Sequence, residues 1–217
     1  MNARILILGV SAGAAMLLAA CSSSGGNTKI YDPATTKTGL RQVGAVSSEE
    51  MREVTIAAVE GAMTNAKFIS FLKKYKQEMG DEDAIPVLKL DKTVNDTDDP
   101  DLNTSEITDM LFEELLNSGK VDVTMAEGAG RTQAIAASRD LEYDENFDQS
   151  TVAKRGTLQA ARLVLRPKVT SNSVRDGNTQ AVTRTFVLEM ADVQTGLVMW
   201  KFTKQLAFMK KKSSVGW

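Results

Sequence analysis

The chain contains no histidine and a single cysteine, Cys21, in 217 residues. Without histidine there is no Ser-His-Asp or Cys-His nucleophilic centre, no H-E-x-x-H zinc site and no histidine-ligated metal. One cysteine leaves no disulfide framework. Neither sign of charge is in large excess: 26 Lys and Arg stand against 28 Asp and Glu, a formal net charge of -2. That balance argues against nucleic acid as a partner. For an enzyme, what survives is carboxylate chemistry, a Ser-Lys pair or a nucleotide site. No paired carboxylates stand out at strand ends, so no cofactor, metal or catalytic residue is expected.

What is present begins with Leu18-Ala19-Ala20-Cys21, the sequence that a bacterial lipoprotein uses to be cut and lipidated. A leucine three places before the cysteine, two small residues that fit a narrow peptidase site, and a thiol that can take a diacylglyceryl group are all there. Upstream, Arg4 gives a positive start, and Ile5 to Ala20 is apolar apart from Ser11. That run suits a signal-peptide core better than a membrane span, which needs about 20 apolar residues. Residues 1–20 are therefore expected to be removed, leaving a mature chain that starts at a lipidated Cys21. Stable anchoring takes two signals, which two or three acyl chains supply. In lipoproteins generally, Ser22 in place of Asp directs sorting to the outer membrane, so a lipid-anchored, periplasmic-facing location is expected.

Residues 21–46 open with Ser-Ser-Ser-Gly-Gly-Asn after the cysteine and read as a flexible tether. A coil of roughly 26 residues spans about 28 Å and stretches to about 90 Å at most. Residues 47–217 then suit one globular domain, with an apolar fraction of 42% and a charged fraction of 25% over the chain. Charge is unevenly spread. From Thr151 onward there are twelve basic residues and three acidic ones, which suggests a polarised surface able to meet an acidic partner.

Ser47, with Glu50 three residues on, predicts a capping box opening a helix whose buried face is Met51, Val54, Ala58 and Ala62. A second helix carries Phe68, Phe71, Leu72, Tyr75 and Met79 as a core stripe, and Gly80 ends it. Ile85 to Leu90 reads as the first strand. Asp91 to Asp101 reads as a solvated acidic loop. It is not a calcium loop, because counting from Asp96 the sixth and twelfth places hold Asp101 and Ile107 rather than Gly and Glu. Asn103 caps a helix with Ile107, Met110, Leu111, Leu115 and Leu116 buried, stopped at Ser118-Gly119-Lys120, and Val121 to Met125 reads as a second strand. Gly128-Ala129-Gly130 lacks the further glycines and lysine of a phosphate loop; it reads as a turn into a helix holding Ile135 and Leu141. Residues 142–150 read as an acidic loop, with Ser150 capping a short helix toward Gly156.

The end of the chain predicts a three-stranded antiparallel meander, Ala161 to Thr170, Thr183 to Val193 and Leu197 to Ala207. The joints are Asp176-Gly177-Asn178 and Asp192-Val193-Gln194-Thr195-Gly196. Alternation puts Leu163, Leu165, Val169, Phe186, Leu188, Met190, Val198, Trp200 and Phe202 on the core face. The opposite parity shows Val164, Met199, Thr203 and Gln205 with Arg162, Arg166, Lys168 and Lys201, and these four basic residues form the candidate partner-binding site. Pro167 predicts an edge strand or a bulge. Lys210 to Lys212 read as a solubilising tail or as a contact for anionic wall polymer or lipid.

From about Val46 to Trp217 the chain resembles the LpoB-type penicillin-binding protein activators, outer-membrane lipoproteins whose soluble domain is similar to the N-terminal domain of TolB. The resemblance rests on Ser47-Ser48-Glu49, then Val87-Leu88-Lys89-Leu90 with Asn95 and Thr97, then Thr108 and Leu115 to Val121. It continues through Arg175-Asp176-Gly177, Leu188 to Trp200 with Asp192 and Thr195-Gly196, and Val215-Gly216-Trp217. It implies an α/β (α+β) fold, a mixed sheet with the antiparallel meander packed against amphipathic helices. It also implies a non-enzymatic role: docking on the regulatory domain of a bifunctional, class A penicillin-binding protein and stimulating peptidoglycan synthesis, with contact to peptidoglycan itself open. The alternatives are a structural or assembly lipoprotein of the envelope, wall-binding or secretion-associated, and a carboxylate-based glycan hydrolase. The first lacks the long amphipathic membrane-crossing strands of a pore.

Overall fold

The expected capping box is formed: the Ser47 hydroxyl accepts from the Glu50 N–H, and the Glu50 carboxylate accepts from the Ser47 N–H, both at 3.2 Å. It starts helix α1 (Ser48–Met63), which buries Met51, Val54, Ala58 and Ala62 and also Thr55 and Val59. This computed structural model describes residues 46–129, 131–177 and 179–211, which lie in one compact unit. Cys21, the leader and all of the tether but Val46 are outside the described residues, as are Lys212 and the closing Val215-Gly216-Trp217. No described helix is long and apolar enough to cross a membrane.

After α1 come α2 (Ala66–Met79), β1 (Val87–Leu90), β2 (Val94–Asp96), α3 (Thr104–Asn117), β3 (Asp122–Val123) and α4 (Gln133–Asp140). Three long strands close the chain: β4 (Leu163–Asp176), β5 (Thr179–Asp192) and β6 (Val198–Lys211). The sheet runs β3-β1-β4-β5-β6, with β2 also pairing β4. β1 is parallel to β3 and β4, and β2 is parallel to β4, while β4, β5 and β6 form the antiparallel meander. The fold is therefore the mixed α+β arrangement expected. α1 packs on α3, and α1 and α2 on β6. The core beneath them joins Phe68, Leu88, Leu111, Leu115, Leu163, Leu165, Phe186, Met190 and Trp200. Each such side chain is worth roughly 1.5–3 kcal/mol on burial.

Several local expectations are corrected. The acidic stretch is not simply a solvated loop, because β2 lies within it. Pro167 marks neither an edge nor a bulge. β4 pairs with β5 one-to-one past it, and on the other side β1 pairs with 163–165 and β2 with 168–170. The Leu165 carbonyl accepts from Asp91 on that side. Pro167, two residues on, faces the same way, so its missing N–H falls in the break between two short partners. Val198 is 54% exposed rather than core. An irregularity at Met190/Ala191 pairs Met190 with Trp200 but Ala191 with Val198. The extra residue, Met199, reverses the alternation and packs against the core instead. On α2 only Phe68 is fully buried and Met79 is 59% exposed; on α3 Leu116 is 48% exposed. Leu141 lies in a 3-10 turn (Leu141–Tyr143) after α4, and no helix follows Ser150, which binds Asp148 in a tight turn.

Candidate functional site

The sheet has helices on one face and is open on the other, and the open face carries three of the four predicted basic residues. Arg166 and Lys168 on β4 and Lys201 on β6 line a shallow groove of about 460 Å³ with Asp91, Lys92, Val187 and Glu189. The strand period of two puts them there: Arg166 is opposite Glu189, and Glu189 is opposite Lys201. The surface is less basic than the sequence suggests. The Lys168 ammonium meets Asp96 of β2 at 2.7 Å, and the Lys201 ammonium donates to Glu189 at 2.7 Å. That hydrogen bond, with Arg166 and Lys168 nearby, outweighs burial and holds the Glu189 carboxyl below the usual glutamate range. Arg166 is exposed and, like Lys92, forms no ion pair with another described residue.

Arg162 does not join them. It precedes β4, where the chain has not yet settled into the pleat, and its guanidinium turns to the helix side. There Nε donates to Asp192 Oδ1 at 2.9 Å and Nη1 to Glu78 Oε2 at 3.1 Å, while the group lies 5.4 Å from the Phe71 ring and 5.9 Å from the Tyr75 ring. Burial pushes the Asp192 carboxyl up, but Arg162, the Gln194 N–H and the Thr195 hydroxyl together hold it below the ordinary aspartate range. Asp192 thus closes the β5–β6 turn and clamps Arg162.

The acidic stretch is bound into the same sheet. Asn95 holds Thr97 and the Asp99 carbonyl, the Asp98 carboxylate accepts from Ser171 at 2.7 Å, and Asp99 meets the buried Arg184 at 2.8 Å. Thr93 and Thr108 share a hydroxyl contact of 2.8 Å that ties this segment to α3. Sequence reasoning missed Asp96 and Glu189 as parts of the basic face. Glu189 opposite Lys201 depends on a register altered by the irregularity at Met190/Ala191, and nothing local signals that β2 lies along β4. Among the described residues no group of three or more Cys, Asp and Glu is arranged to hold a metal ion. The arrangement offers an open, charge-patterned face for another macromolecule.

A family model described as the peptidoglycan-synthase activator LpoB matches residues 51–206. Among solved structures, the LpoB C-terminal domain of Salmonella enterica is 21% identical, covering 68% of this chain and 97% of that one with a TM-score of 0.33. The LpoB C-terminal domain of Escherichia coli is 20% identical over the same shares with a TM-score of 0.35. The solution structure of E. coli LpoB is 13% identical, covering 97% of this chain and 84% of that one with a TM-score of 0.39. Superpositions at that level carry no detail, so the assignment rests on the family model. No curated protein matches the chain.

Proposed function

Since this chain belongs to the LpoB family of peptidoglycan-synthase activators, we propose that it binds and stimulates a class A, bifunctional penicillin-binding protein and catalyses nothing itself. The observation that carries this reading is the extent of the family match, which runs from α1 into β6 and so takes in nearly the whole domain. Two features support it. Histidine is absent, and the carboxyls of Asp98, Glu189 and Asp192, which lie below the usual range, are each engaged by hydrogen-bond donors. We further place the chain on the outer membrane through lipid on Cys21, on the strength of the leader and the Leu18-Ala19-Ala20-Cys21 motif. The docking surface in this reading is the open face with Arg166, Lys168 and Lys201. Stimulation then requires that this surface bind the active conformation of the synthase more tightly than the idle one.

The test is glycan polymerisation by a purified class A synthase with and without the full chain carrying Cys21→Ser. A severalfold rate increase is expected, and an unchanged rate at saturating protein rejects the proposal. Arg166→Glu with Lys201→Glu should lower the stimulation while the circular dichroism spectrum stays the same. Undiminished stimulation would exclude the open face. Metabolic labelling with a clickable fatty acid should mark the wild-type chain and leave Cys21→Ser unmarked.

A further inference from the structure

Between β1 and β2 the chain stays against β4. β1 ends at Leu90 opposite Leu165, and β2 begins at Val94 opposite Lys168, so residues 91–93 run beside Arg166 and Pro167. The Asp91 N–H donates to the Leu165 carbonyl at 2.9 Å. Thr93 is buried against α3, where its N–H and its hydroxyl meet the Thr108 hydroxyl at 3.1 and 2.8 Å. With Thr93 turned to the helix side, Lys92 before it and Val94 after it are exposed, and both line the open-face groove. The cross-strand pairs carry on from there, with Val94 opposite Lys168 and Lys168 opposite Val187. Residues 91–94 are thus one wall of that groove.

A three-residue strand with every residue exposed gains little from burial, so side-chain ties must fix the wall. The Asp96 carboxylate meets the Lys168 ammonium at 2.7 Å. Asp98 is joined to β4 twice: its N–H donates to the Ser171 hydroxyl at 3.1 Å, and that hydroxyl donates to the Asp98 carboxylate at 2.7 Å. These ties also settle the charge. The groove is lined by Lys92, Arg166, Lys168 and Lys201 against Asp91 and Glu189. Lys201 is paired with Glu189 and Lys168 with Asp96. Lys92 and Arg166 remain with Asp91 alone, and none of these three forms an ion pair with another described residue. The excess is positive, and beside it Val94 is 54% exposed and Val187 half-buried. A carboxylate with an apolar neighbour completes both parts, whereas a purely anionic polymer would leave Val94 in water.

We infer, resting on the function proposed above, that Lys92 and Val94 belong to the docking surface: an acidic side chain of the synthase sits against Lys92 and Arg166, and an apolar side chain next to it covers Val94 and Val187. Ser171 and Asp98 are positioning residues, which hold the wall without touching the partner. The surface therefore takes in the segment before β2 as well as the meander, and the partner's charge is selected where that segment passes β4.

The experiment titrates the full chain carrying Cys21→Ser into glycan polymerisation by a purified class A synthase and reads the half-saturating concentration and the maximal rate separately. Lys92→Ala and Val94→Ala should each raise the half-saturating concentration about tenfold and keep the maximum. Because Lys92 and Arg166 meet one carboxylate, Lys92→Ala combined with Arg166→Ala should cost less than the product of the single losses. Ser171→Ala should raise the half-saturating concentration about threefold, and Ser171→Thr, which keeps the hydroxyl, should restore it. Lys73→Glu, at an exposed position of α2, should change neither reading. A chain that fails to stimulate before any substitution removes the proposed function and this surface with it. Normal stimulation overturns the inference alone if Lys92→Ala or Val94→Ala titrates like the parent, if the losses at Lys92 and Arg166 multiply, or if Lys73→Glu costs as much. Ser171→Ala without effect overturns the positioning role. A dimer of the chain alone that Lys92→Glu separates also overturns the inference, because the occupant would then be a second copy.

Discussion

Gly128 shows how a single position can be fixed by backbone geometry. Its φ is +75°, and a Cβ there would stand 2.5 Å from the carbonyl oxygen of Leu90. The next residue, Ala129, donates its N–H to that same oxygen, so the turn is pressed against the end of β1 and cannot shift away. Gly128→Ala should cost about 2–4 kcal/mol, combining left-handed strain with overpacking, as measured by urea unfolding. In the sequence this glycine looked like an ordinary turn residue, because the close approach comes from a strand almost forty positions earlier. Asp192 contributes to the pH dependence of stability. Its carboxyl lies below the unfolded value of about 3.9. The stability it contributes is therefore complete above that pH and is lost as pH falls through the lower, folded value. Asp192→Asn should lower the melting temperature at pH 6 and flatten its decline below pH 4. An unchanged acid limb would show that Arg162 is held by other groups.

At the scale of elements, helices were more legible than strands. α1 and α3 were announced by Ser47 and Asn103 with glutamates three residues on, and by apolar spacing that the helix period converts directly into one face. How deep that face goes depended on the neighbours. α2 has five apolar residues in its stripe, yet its packing on β6 fully encloses Phe68 while Met79 stays 59% exposed. Phe68→Ala should cost about 3–5 kcal/mol, whereas Met79→Ala should leave the unfolding midpoint nearly unchanged. Similar losses for both would mean that α2 packs along its whole length. Among the strands, the long antiparallel ones were visible from turn chemistry and alternation, though each runs further toward the β4–β5 turn than its hydrophobic pattern does. β2 was too short to show a period and exists because β4 offers a ladder, while the strand expected over Val121 to Met125 is present as β3 but shortened to Asp122–Val123.

Across the whole molecule the main effect is electrostatic. The acidic middle and the basic end are separate in sequence, but the fold brings them together, in part through the parallel pairing of β2 with β4. Asp96 meets Lys168, Asp99 meets Arg184, Glu78 meets Arg162 and Glu142 meets Arg155. A charge asymmetry that suggested one strongly basic surface becomes a patterned face with Arg166 left over and a lysine-bearing edge along β6. The Asp99–Arg184 contact also bears on stability, since Arg184 is 4% exposed. Asp99→Ala should cost on the order of 3 kcal/mol by taking a carboxylate from a buried guanidinium, read from the midpoint of denaturant unfolding. A loss under 1 kcal/mol would assign Arg184 to its other contacts.

The sequence alone determined what depends on near neighbours: helix starts, turn positions, the parity of β4 and most of β5, and the absence of histidine chemistry. The tertiary structure decided what depends on partners distant along the chain. It set the break in the ladder at Pro167, the reversal of parity at Val198, the removal of Arg162 from the basic face, and which lysines keep an unopposed charge. The reason is physical. Periodicity and capping are set within one or two turns of chain, whereas register and ion pairing are set by segments that meet only when the sheet closes.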